Sequence, residues 1–418
     1  MGTYVERLWQ PEDAGGLSRK DRAPGRYLAY IPEPLDRQLP QLGADALSAA
    51  EDALVVLARA DEIVGSRSGF LNHLLIRSES ISSSWIEGNR VTPKKLAIAE
   101  TLRQGSQAAL DVVANVRATE QAIAGLSDRA HAITVGDLCE LQHVIEPRLK
   151  TGLRVEQNWV GGTGWSPLRA DFVPPPEDLV PSLMENLAEF VTETAGNPVV
   201  RAAIAHAQFE TIHPFIDGNG RTGRALIHTV LRRADAVRHT LIPISTVFAG
   251  NVNAYISGLN AYRAEPSLLD EWIIAFAQAT EKAAANAVEL AQRVAELDIT
   301  FLTEFIASRK EAGVVPSRPR KGAVTVKILE TLAAEPVLTA ESVCARFEVS
   351  PAAAHRALTE LTAAGVLSRT KDPRGKLLCW TADRYLDLVA LTERSNRVGG
   401  GDTQGQKVRG GPPAPLRK

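Results

Sequence analysis

The sequence lacks the features that mark several classes of protein. Its 418 residues include only three cysteines, Cys139, Cys344 and Cys379, and no two of them have the spacing of a metal-ligand pair. A disulfide framework and a zinc site are therefore not expected. The formal net charge is −2, so no overall positive field would draw the protein to nucleic acid or to an acidic membrane.

The chain also lacks a long hydrophobic run. No apolar segment has membrane-spanning length, and the first residues do not join a basic stretch to an apolar one as a signal peptide does. We therefore expect a cytoplasmic protein with no membrane partner. Hydrophobic residues make up 44% of the chain and charged residues 23%, which is ordinary for a globular protein with a sizeable core. The length predicts roughly two to three domains.

Helical periodicity dominates the pattern of apolar residues, so the fold class that we expect is mainly α. The first forty residues are the exception, because they are rich in Pro, Gly and charge, and we predict that they are irregular. Helices are predicted from about 46, at about 70–86, from Pro93, at about 107–125, 135–146 and 177–195, from Pro198, at about 267–296, and in a further helix to about 313.

A different pattern follows a linker rich in Pro and Arg that begins at Pro316. Three helical segments precede two short apolar strands that flank a basic turn, an order typical of a winged helix, and we predict one over 316–394. The helices are expected at about 323–334, 339–347 and 351–364. The remaining residues, 395–418, are Gly, Pro and polar residues, and we predict that they are disordered.

The segment 213–224, His-Pro-Phe-Ile-Asp-Gly-Asn-Gly-Arg-Thr-Gly-Arg, concentrates groups that can bind a polyphosphate. The Gly-Asn-Gly run at 218–220 can adopt positive φ and direct its N–H groups at one point, at the N-terminus of the helix that follows. Arg221 and Arg224 share a face of that helix. Cations in a first helical turn oppose the helix dipole unless an anion compensates them. The segment therefore predicts a phosphate site.

Two residues beside this predicted phosphate site have side chains that can bind a metal ion or accept a proton. Asp217 can bind a divalent metal through oxygen, and Mg²⁺ that bridges phosphates usually takes one or two protein carboxylates. His213 is the group in this segment that titrates near neutral pH, and it can take a proton from a hydroxyl. A plain helix start with surface arginines and a core histidine would explain any one of these features, but not all of them together.

The segment resembles the Fic signature, His-x-Phe-x-(Asp/Glu)-Gly-Asn-Gly-Arg-x-x-Arg, and matches it at every specified position. The resemblance implies an all-helical Fic core with a small β-hairpin flap, and Mg²⁺-dependent transfer of AMP from ATP to a Ser, Thr or Tyr hydroxyl of a protein. It implies that His213 is the base, that Asp217 binds Mg²⁺ and that Arg224 holds the γ-phosphate. The ATP-binding residues that it implies are Gly218, Asn219, Gly220, Arg221, Thr222, Gly223, Arg224 and Asn251.

A second match lies upstream. The segment 83–89, Ser-Ser-Trp-Ile-Glu-Gly-Asn, resembles the inhibitory motif of the family, Ser/Thr-x-x-x-Glu-Gly/Asn. The resemblance implies that Glu87 pairs with Arg224 and so occupies the arginine that the γ-phosphate needs. In some relatives this glutamate also supports removal of AMP, and that role stays open. As a pattern alone, Ser83 and Glu87 also fit ordinary residues on a partly buried helix.

The resemblance assigns two more features. The Gly-rich turn within 159–174 resembles the flap, where Gly161 and Gly162 give a target strand room along the backbone; a plain structural hairpin is the alternative. Asn251 resembles a residue on the adenine side of the pocket, although two family positions beside it differ in this chain.

Domain boundaries and partners also follow from the resemblance. It implies an N-terminal region with the inhibitory helix over 1–105 and a Fic core with trailing helices over 106–315. The partners would be a target protein, the enzyme itself through self-modification, and a second copy in a homodimer. The basic turn of the winged helix leaves DNA binding open, with protein docking as the alternative. Removal of AMP and a nucleotide-sensing transcriptional regulator stay open as other functions.

Overall fold

The computed structural model of the protein describes residues 2–10, 23–66, 69–162, 166–264, 267–371 and 378–395. These residues are mainly helical, as expected, and they include two small antiparallel sheets. No helix among them is long and apolar enough to cross a membrane. The tail that was predicted to be disordered lies outside the described residues beyond Ser395.

The N-terminus contains a β-hairpin, so the prediction of an irregular segment was wrong. Strand β1 (Thr3–Trp9) pairs antiparallel with β2 (Gly25–Ile31). One face of the pair packs against Trp159 and Val173, while the other face is exposed. This alternation is the period of a strand with one covered face. The Pro and Gly content of the segment had outweighed it in the prediction.

Five helices follow the hairpin, close to the positions predicted for them. They are α1 (Ala44–Gly65), α2 (Gly69–Ile86), α3 (Pro93–Leu102), α4 (Gln107–Gly125) and α5 (Val135–Ile145). The side chains of Thr92, Ser106 and Thr134 accept backbone N–H groups at the starts of α3, α4 and α5. Such caps satisfy donors that have no partner inside the helix, which explains why these helices begin where they do.

The next six helices complete the bundle. They are α6 (Val180–Glu193), α7 (Pro198–Ile212), α8 (Asn219–Arg233), α9 (Ser245–Gly250), α10 (Val252–Arg263) and α11 (Leu269–Glu311). Short 3₁₀ turns lie at Pro167–Arg169 and Glu177–Leu179. The prediction of two helices between 267 and 313 was wrong: α11 is continuous over 43 residues, because no Gly or Pro interrupts it.

Helices α7 and α8 lie at the centre of the bundle. Residues Val199 to Ile212 of α7 are all buried, and so is α8 from Asn219 to Leu231. A helix that is buried on every side belongs to the interior of its domain. The short turn that joins these two helices, which contains the predicted phosphate site, is therefore fixed at both ends by the core.

A C-terminal module, residues 324–395, follows the bundle. It contains α12 (Val324–Thr331), β3 (Val337–Leu338), α13 (Ala340–Phe347), α14 (Pro351–Ala363), β4 (Ser368–Lys371), β5 (Leu378–Thr381) and α15 (Asp383–Ser395), and the sheet order is β3-β5-β4. The sequence had indicated neither β3 nor α15. The basic turn between β4 and β5 lies outside the described residues, and the winged-helix assignment stays a prediction.

The C-terminal module packs directly on the first helices of the bundle. Ala97 and Ile98 of α3 share a buried cluster with Val337. Arg77 of α2 donates a hydrogen bond from Nη1 to the carbonyl oxygen of Ala334 at 2.6 Å. Helix α2, which ends just before the predicted inhibitory glutamate, therefore contacts both the core and the C-terminal module.

Candidate functional site

The predicted phosphate-binding loop is a tight turn between α7 and α8. Gly218 is the N-cap of α8 with φ +82°, a left-handed conformation that glycine adopts without strain. Asn219 closes the turn, because its Oδ1 accepts the N–H of Phe215 at 2.9 Å and its Nδ2 donates to the Phe215 carbonyl at 2.8 Å. The N–H groups of the first turn of α8 have no partner inside the helix and are suited to binding an anion.

Three side chains from outside the turn hold its carbonyl groups. Arg154 Nε and Asn158 Nδ2 both donate to the carbonyl oxygen of His213, at 3.0 and 3.1 Å. Gln142 Nε2 donates to the carbonyl oxygen of Asp217 at 2.9 Å. Sequence reasoning missed all three residues, because each lies far from the turn along the chain and no local pattern marks it.

His213 ends α7 in a left-handed conformation, with φ +49°. Its side chain is largely buried. Burial lowers the pKa of the imidazole to about 4, and the nearby positive charge of Arg154 contributes in the same direction. At neutral pH the ring is therefore uncharged and able to accept a proton, as the predicted base must be.

Arg224 is 1% exposed, and the end of α2 holds it. Its Nη2 lies 2.7 Å from Oε1 of Glu87 and donates to the carbonyl oxygen of Ser83 at 2.8 Å, while its Nε donates to Oγ of Ser83 at 2.8 Å. Burial opposes both charges, but the attraction between them outweighs it. The pKa of Arg224 is consequently raised and that of Glu87 lowered, so both groups are ionised. The ion pair that the upstream motif implied is thus formed.

The carboxylate of Glu87 also lies directly against the loop. A Cβ atom built on Gly220 would be 1.9 Å from Oε1 of Glu87, so only glycine leaves room for this approach. The carboxylate therefore sits at the N-terminal end of α8, where a negative charge is favoured by the helix dipole. The Glu87 side chain is still 38% exposed, so solvent reaches it from the other side.

Arg221, predicted to bind phosphate, is engaged by another carboxylate. Its Nη2 lies 2.6 Å from Oε1 of Glu146, whose side chain is 5% exposed. Arg148 binds the other oxygen of Glu146 at 3.0 Å and lies 3.3 Å from Oδ1 of Asp111. Glu146 had not been identified from the sequence, since a single Glu at the end of a helix carries no distinguishing pattern.

Asp217, the predicted metal ligand, lies in the turn directly before Gly218, and its binding of Mg²⁺ stays a prediction. Its side chain is mostly exposed, and its Oδ1 accepts the N–H of Gly218 at 2.6 Å. The protein around the carboxyl group displaces part of its water and so raises the pKa of Asp217, and the charge of Arg221 opposes that rise. Among the described residues, no group of three or more His, Cys, Asp or Glu could hold a metal ion. A single carboxylate beside an anion-binding turn fits Mg²⁺, which takes most of its ligands from phosphates and water in such sites.

The other predicted site residues have different surroundings. The Thr222 hydroxyl donates to the carbonyl oxygen of Gly218 at 2.9 Å and is buried, so it supports the turn. A Cβ atom on Gly223 would lie 2.6 Å from Oε1 of Glu210, so glycine lets α7 approach α8 there. Asn251 is exposed and its Oδ1 caps α10. Its contact with adenine stays a prediction.

The flap residues form a turn as far as they are described. Gly161 and Gly162 have φ +77° and +72°, and residues 163–165 lie outside the described range. Val160 donates its N–H to the carbonyl oxygen of Phe172 at 2.8 Å across the turn. Strand β2 donates a backbone N–H to Val173 at 2.9 Å, which joins the N-terminal hairpin to the flap. The role of this region in target binding stays a prediction.

Comparisons with known proteins give a family match for part of the chain. Residues 132–231 match the model of the Fic/DOC family. "Protein adenylyltransferase Fic" of Drosophila grimshawi is 32% identical over 203 residues, which is 46% of this chain and 38% of that protein. The protein of the same name from Drosophila ananassae is 30% identical over 240 residues, 54% of this chain and 43% of that protein. The chain thus spans about two fifths of the length of these curated relatives.

A solved structure of a Fic family protein from Desulfovibrio desulfuricans G20 has a TM-score of 0.47 and 20% sequence identity, over 82% of this chain and 97% of that one. The family match covers α6, α7, most of α8 and the turn that contains His213 and Gly218. Because residues 132–231 match the Fic/DOC family model, this part of the chain is a Fic domain.

Proposed function

We propose that the protein transfers AMP from ATP to a hydroxyl group of a target protein, with Mg²⁺, and that Glu87 restrains this reaction. The observation that carries the proposal is a neutral imidazole, His213, on the same short turn as a helix N-terminus suited to an anion. A base and a polyphosphate site at fixed separation are what attack by a hydroxyl on phosphorus requires. The names of the curated relatives support the same activity.

In the proposed reaction, His213 takes the proton of the target hydroxyl as its oxygen attacks the α-phosphorus of ATP. The bond from the α-phosphorus to the oxygen that bridges to the β-phosphate breaks, and pyrophosphate leaves. Burial and Arg154 keep the imidazole unprotonated before the reaction. Because a hydroxyl becomes more acidic as its oxygen bonds to phosphorus, even a weak base can accept its proton in the transition state.

The phosphates would be held by the first turn of α8. Its free N–H groups would bind phosphate oxygens, and Arg224 would bind the γ-phosphate once its carboxylate partner has left. Asp217 would hold Mg²⁺ together with the phosphates, and the ion would neutralise part of their charge. Positioning and charge stabilisation of this kind supply most of the catalysis when phosphate groups are transferred.

Glu87 would restrain the reaction by competition. Its carboxylate and the γ-phosphate are both anions that need Arg224 and the same end of α8. Two anions in one small site repel each other, so ATP would bind weakly or with its phosphates displaced while Glu87 is in place. Movement of Glu87 would restore both the arginine and the free helix end.

Removal of AMP from a modified protein is a second candidate function, and one observation favours it. The Glu87 carboxylate is ionised, partly exposed and adjacent to Gly220. In this position it could bind and orient a water molecule for attack on a phosphate in the site. The two functions make opposite demands on this residue, since Glu87→Gly would increase transfer and abolish removal.

Self-modification with ATP labelled at the α-phosphate tests the proposal. We expect strong label in Glu87→Gly, little in the parent protein and none in Glu87→Gly combined with His213→Ala. Binding of ATP should be retained in the double variant, because His213 acts on the hydroxyl and not on the nucleotide. Full label in the double variant would contradict the assigned base. Absence of label in every variant, even with a cell extract as a source of targets, would contradict AMP transfer.

A further inference from the structure

Glu210 is a buried carboxyl group for which the proposed reaction has so far no use. It lies in the last turn of α7 and is 9% exposed. Its Oε1 has no hydrogen-bond partner among the described residues. A buried polar atom without a partner is rare and costs free energy, so its presence calls for an explanation.

The imidazole of the proposed base, His213, lies close to this carboxyl. Oε2 of Glu210 lies 3.9 Å from Nδ1 of His213, and Nδ1 makes no hydrogen bond of good geometry with a described residue. An approach of about 1 Å would bring the pair to hydrogen-bond length, and such bonds are often long before the substrate binds. The backbone carbonyl of Glu210 also faces the ring and is the competing acceptor.

We propose that the side-chain carboxylate of Glu210 accepts the Nδ1–H of His213 in the active enzyme and so makes Nε2 the nitrogen that takes the hydroxyl proton. Glu210 is thereby a positioning residue, since it acts on the substrate only through His213. A neutral imidazole has one protonated nitrogen, and the acceptor bound to that nitrogen decides which one remains free. This inference rests on the proposed AMP transfer.

The charges around Glu210 make its ionisation sensitive to pH. Burial raises its pKa to about 7, Arg224 lowers it, Glu87 raises it and Arg263 lowers it. The titratable or charged groups that face Glu210 or His213 from the packed elements are Arg154, His206, Glu87, Arg224, Tyr255 and Arg263. In the protein without ATP, departure of Glu87 removes a repelling charge, so it favours the ionised form of Glu210 that accepts the Nδ1–H.

Kinetics in the Glu87→Gly background test this role. With Glu210 present, kcat for self-modification should rise as the pH passes through the pKa of Glu210, which burial raises and which should lie below the parent's value of about 7 because Glu87 is absent in this background. Glu210→Gln should lower kcat by roughly 10–100-fold and remove that inflection, while KM for ATP is unchanged. Thr211→Val is the matched control, because Thr211 is buried on the same helix and its hydroxyl donates only within the helix. It should leave the pH profile unchanged.

Nitrogen NMR of His213 in the full-length protein gives a readout that does not depend on activity. The parent should show Nδ1 protonated at about pH 8, where Glu210 is ionised, and Glu210→Gln should alter the chemical shift and tautomer balance of that ring. If AMP transfer fails but this tautomer result holds, the proposed function is wrong and the pairing is right. An unchanged ring and an unchanged pH profile in Glu210→Gln would overturn the proposal and assign the Nδ1–H to the backbone carbonyl.

Discussion

Two arginines at the start of α8 are paired with glutamates in different ways. Arg221 pairs with Glu146 at 2.6 Å, and Glu146 is 5% exposed and shared with Arg148. Arg224 pairs with Glu87 at 2.7 Å, and Glu87 is 38% exposed. The two distances are nearly equal, so distance does not tell which pair is permanent. The surroundings of each carboxylate distinguish them.

Glu146 is enclosed and belongs to the Fic domain, and it is paired with Arg148 as well as with Arg221. Glu87 lies outside the matched residues 132–231, and 38% of its side chain is already exposed to solvent. A buried pair costs much to break from one side, whereas a pair with one exposed partner can be replaced by another anion. We infer that Arg221–Glu146 is part of the loop's structure and that Arg224–Glu87 is exchangeable.

Replacing each glutamate by alanine should give the largest difference in stability between the two pairs. Glu146→Ala leaves Arg221 in a closed space and should lower the free energy of unfolding by about 3–5 kcal/mol. Glu87→Ala should cost clearly less, because water can reach Arg224 through the space that opens. Urea unfolding measures both. Added ATP with Mg²⁺ should stabilise Glu87→Ala more than the parent and should not rescue Glu146→Ala. Equal costs in the two variants would contradict the distinction.

The next largest effect should be the loss of ATP affinity when Arg224, the proposed γ-phosphate ligand, is replaced. In the Glu87→Gly background, Arg224→Ala should weaken ATP binding roughly 10–100-fold, the worth of one charge-assisted contact of about 1.5–3 kcal/mol. ADP binding should change little, since ADP has no γ-phosphate. Arg232→Ala, at the far end of the same helix, is the control. Equal losses for ATP and ADP would place Arg224 at other phosphates.

Only part of this site could be predicted from the sequence, and the reason is physical. The turn between α7 and α8 depends on residues close together in the chain, such as Gly218 and Asn219, so its motif predicted its shape. Helix starts at Thr92 and Ser106 were predictable for the same reason, since an N-cap is local. The pairing of Glu87 with Arg224 was implied by family resemblance and by no local pattern.

Contacts between distant residues account for most of what the sequence did not predict. Arg154, Asn158 and Gln142 hold the loop through carbonyl groups, which every residue has, so their sequence positions give no signal. The N-terminal hairpin was missed because its strands are stabilised by packing on Trp159 and Val173, far along the chain. Tertiary packing of this kind overrides local composition.

A third carboxylate, Glu210, should make the stability of the protein depend on pH near neutrality, unlike Glu87, whose pKa is lowered. Its folded pKa is about 7 and its ordinary value is 4.5, so the unfolded chain loses the proton first as the pH rises. Stability contributed by Glu210 is therefore lost as the pH rises between these values. Relative to the parent, Glu210→Gln should be more stable at about pH 8 than at about pH 5 in urea unfolding. A difference independent of pH would contradict the raised pKa.

The smallest effect on stability should come from Asp111, which contacts the Arg221–Glu146 pair only through Arg148. Asp111 lies 3.3 Å from Arg148, which is itself about half exposed. Asp111→Asn should lower the free energy of unfolding by less than about 1 kcal/mol, because exposed ion pairs contribute little. Thermal unfolding compares it with Glu146→Ala. A loss as large as that of Glu146→Ala would mean that Arg148, and not burial, makes the Arg221 pair permanent.

The most direct test of the account is AMP incorporation by the parent protein and by Glu87→Gly, with Glu87→Asp as a control that keeps the charge. The account predicts strong label in Glu87→Gly and weak label in the parent, with Glu87→Asp closer to the parent because its shorter carboxylate is still an anion near Arg224. Equal label in the parent and Glu87→Gly would contradict the claim that the Arg224–Glu87 pair is an exchangeable one that restrains the enzyme.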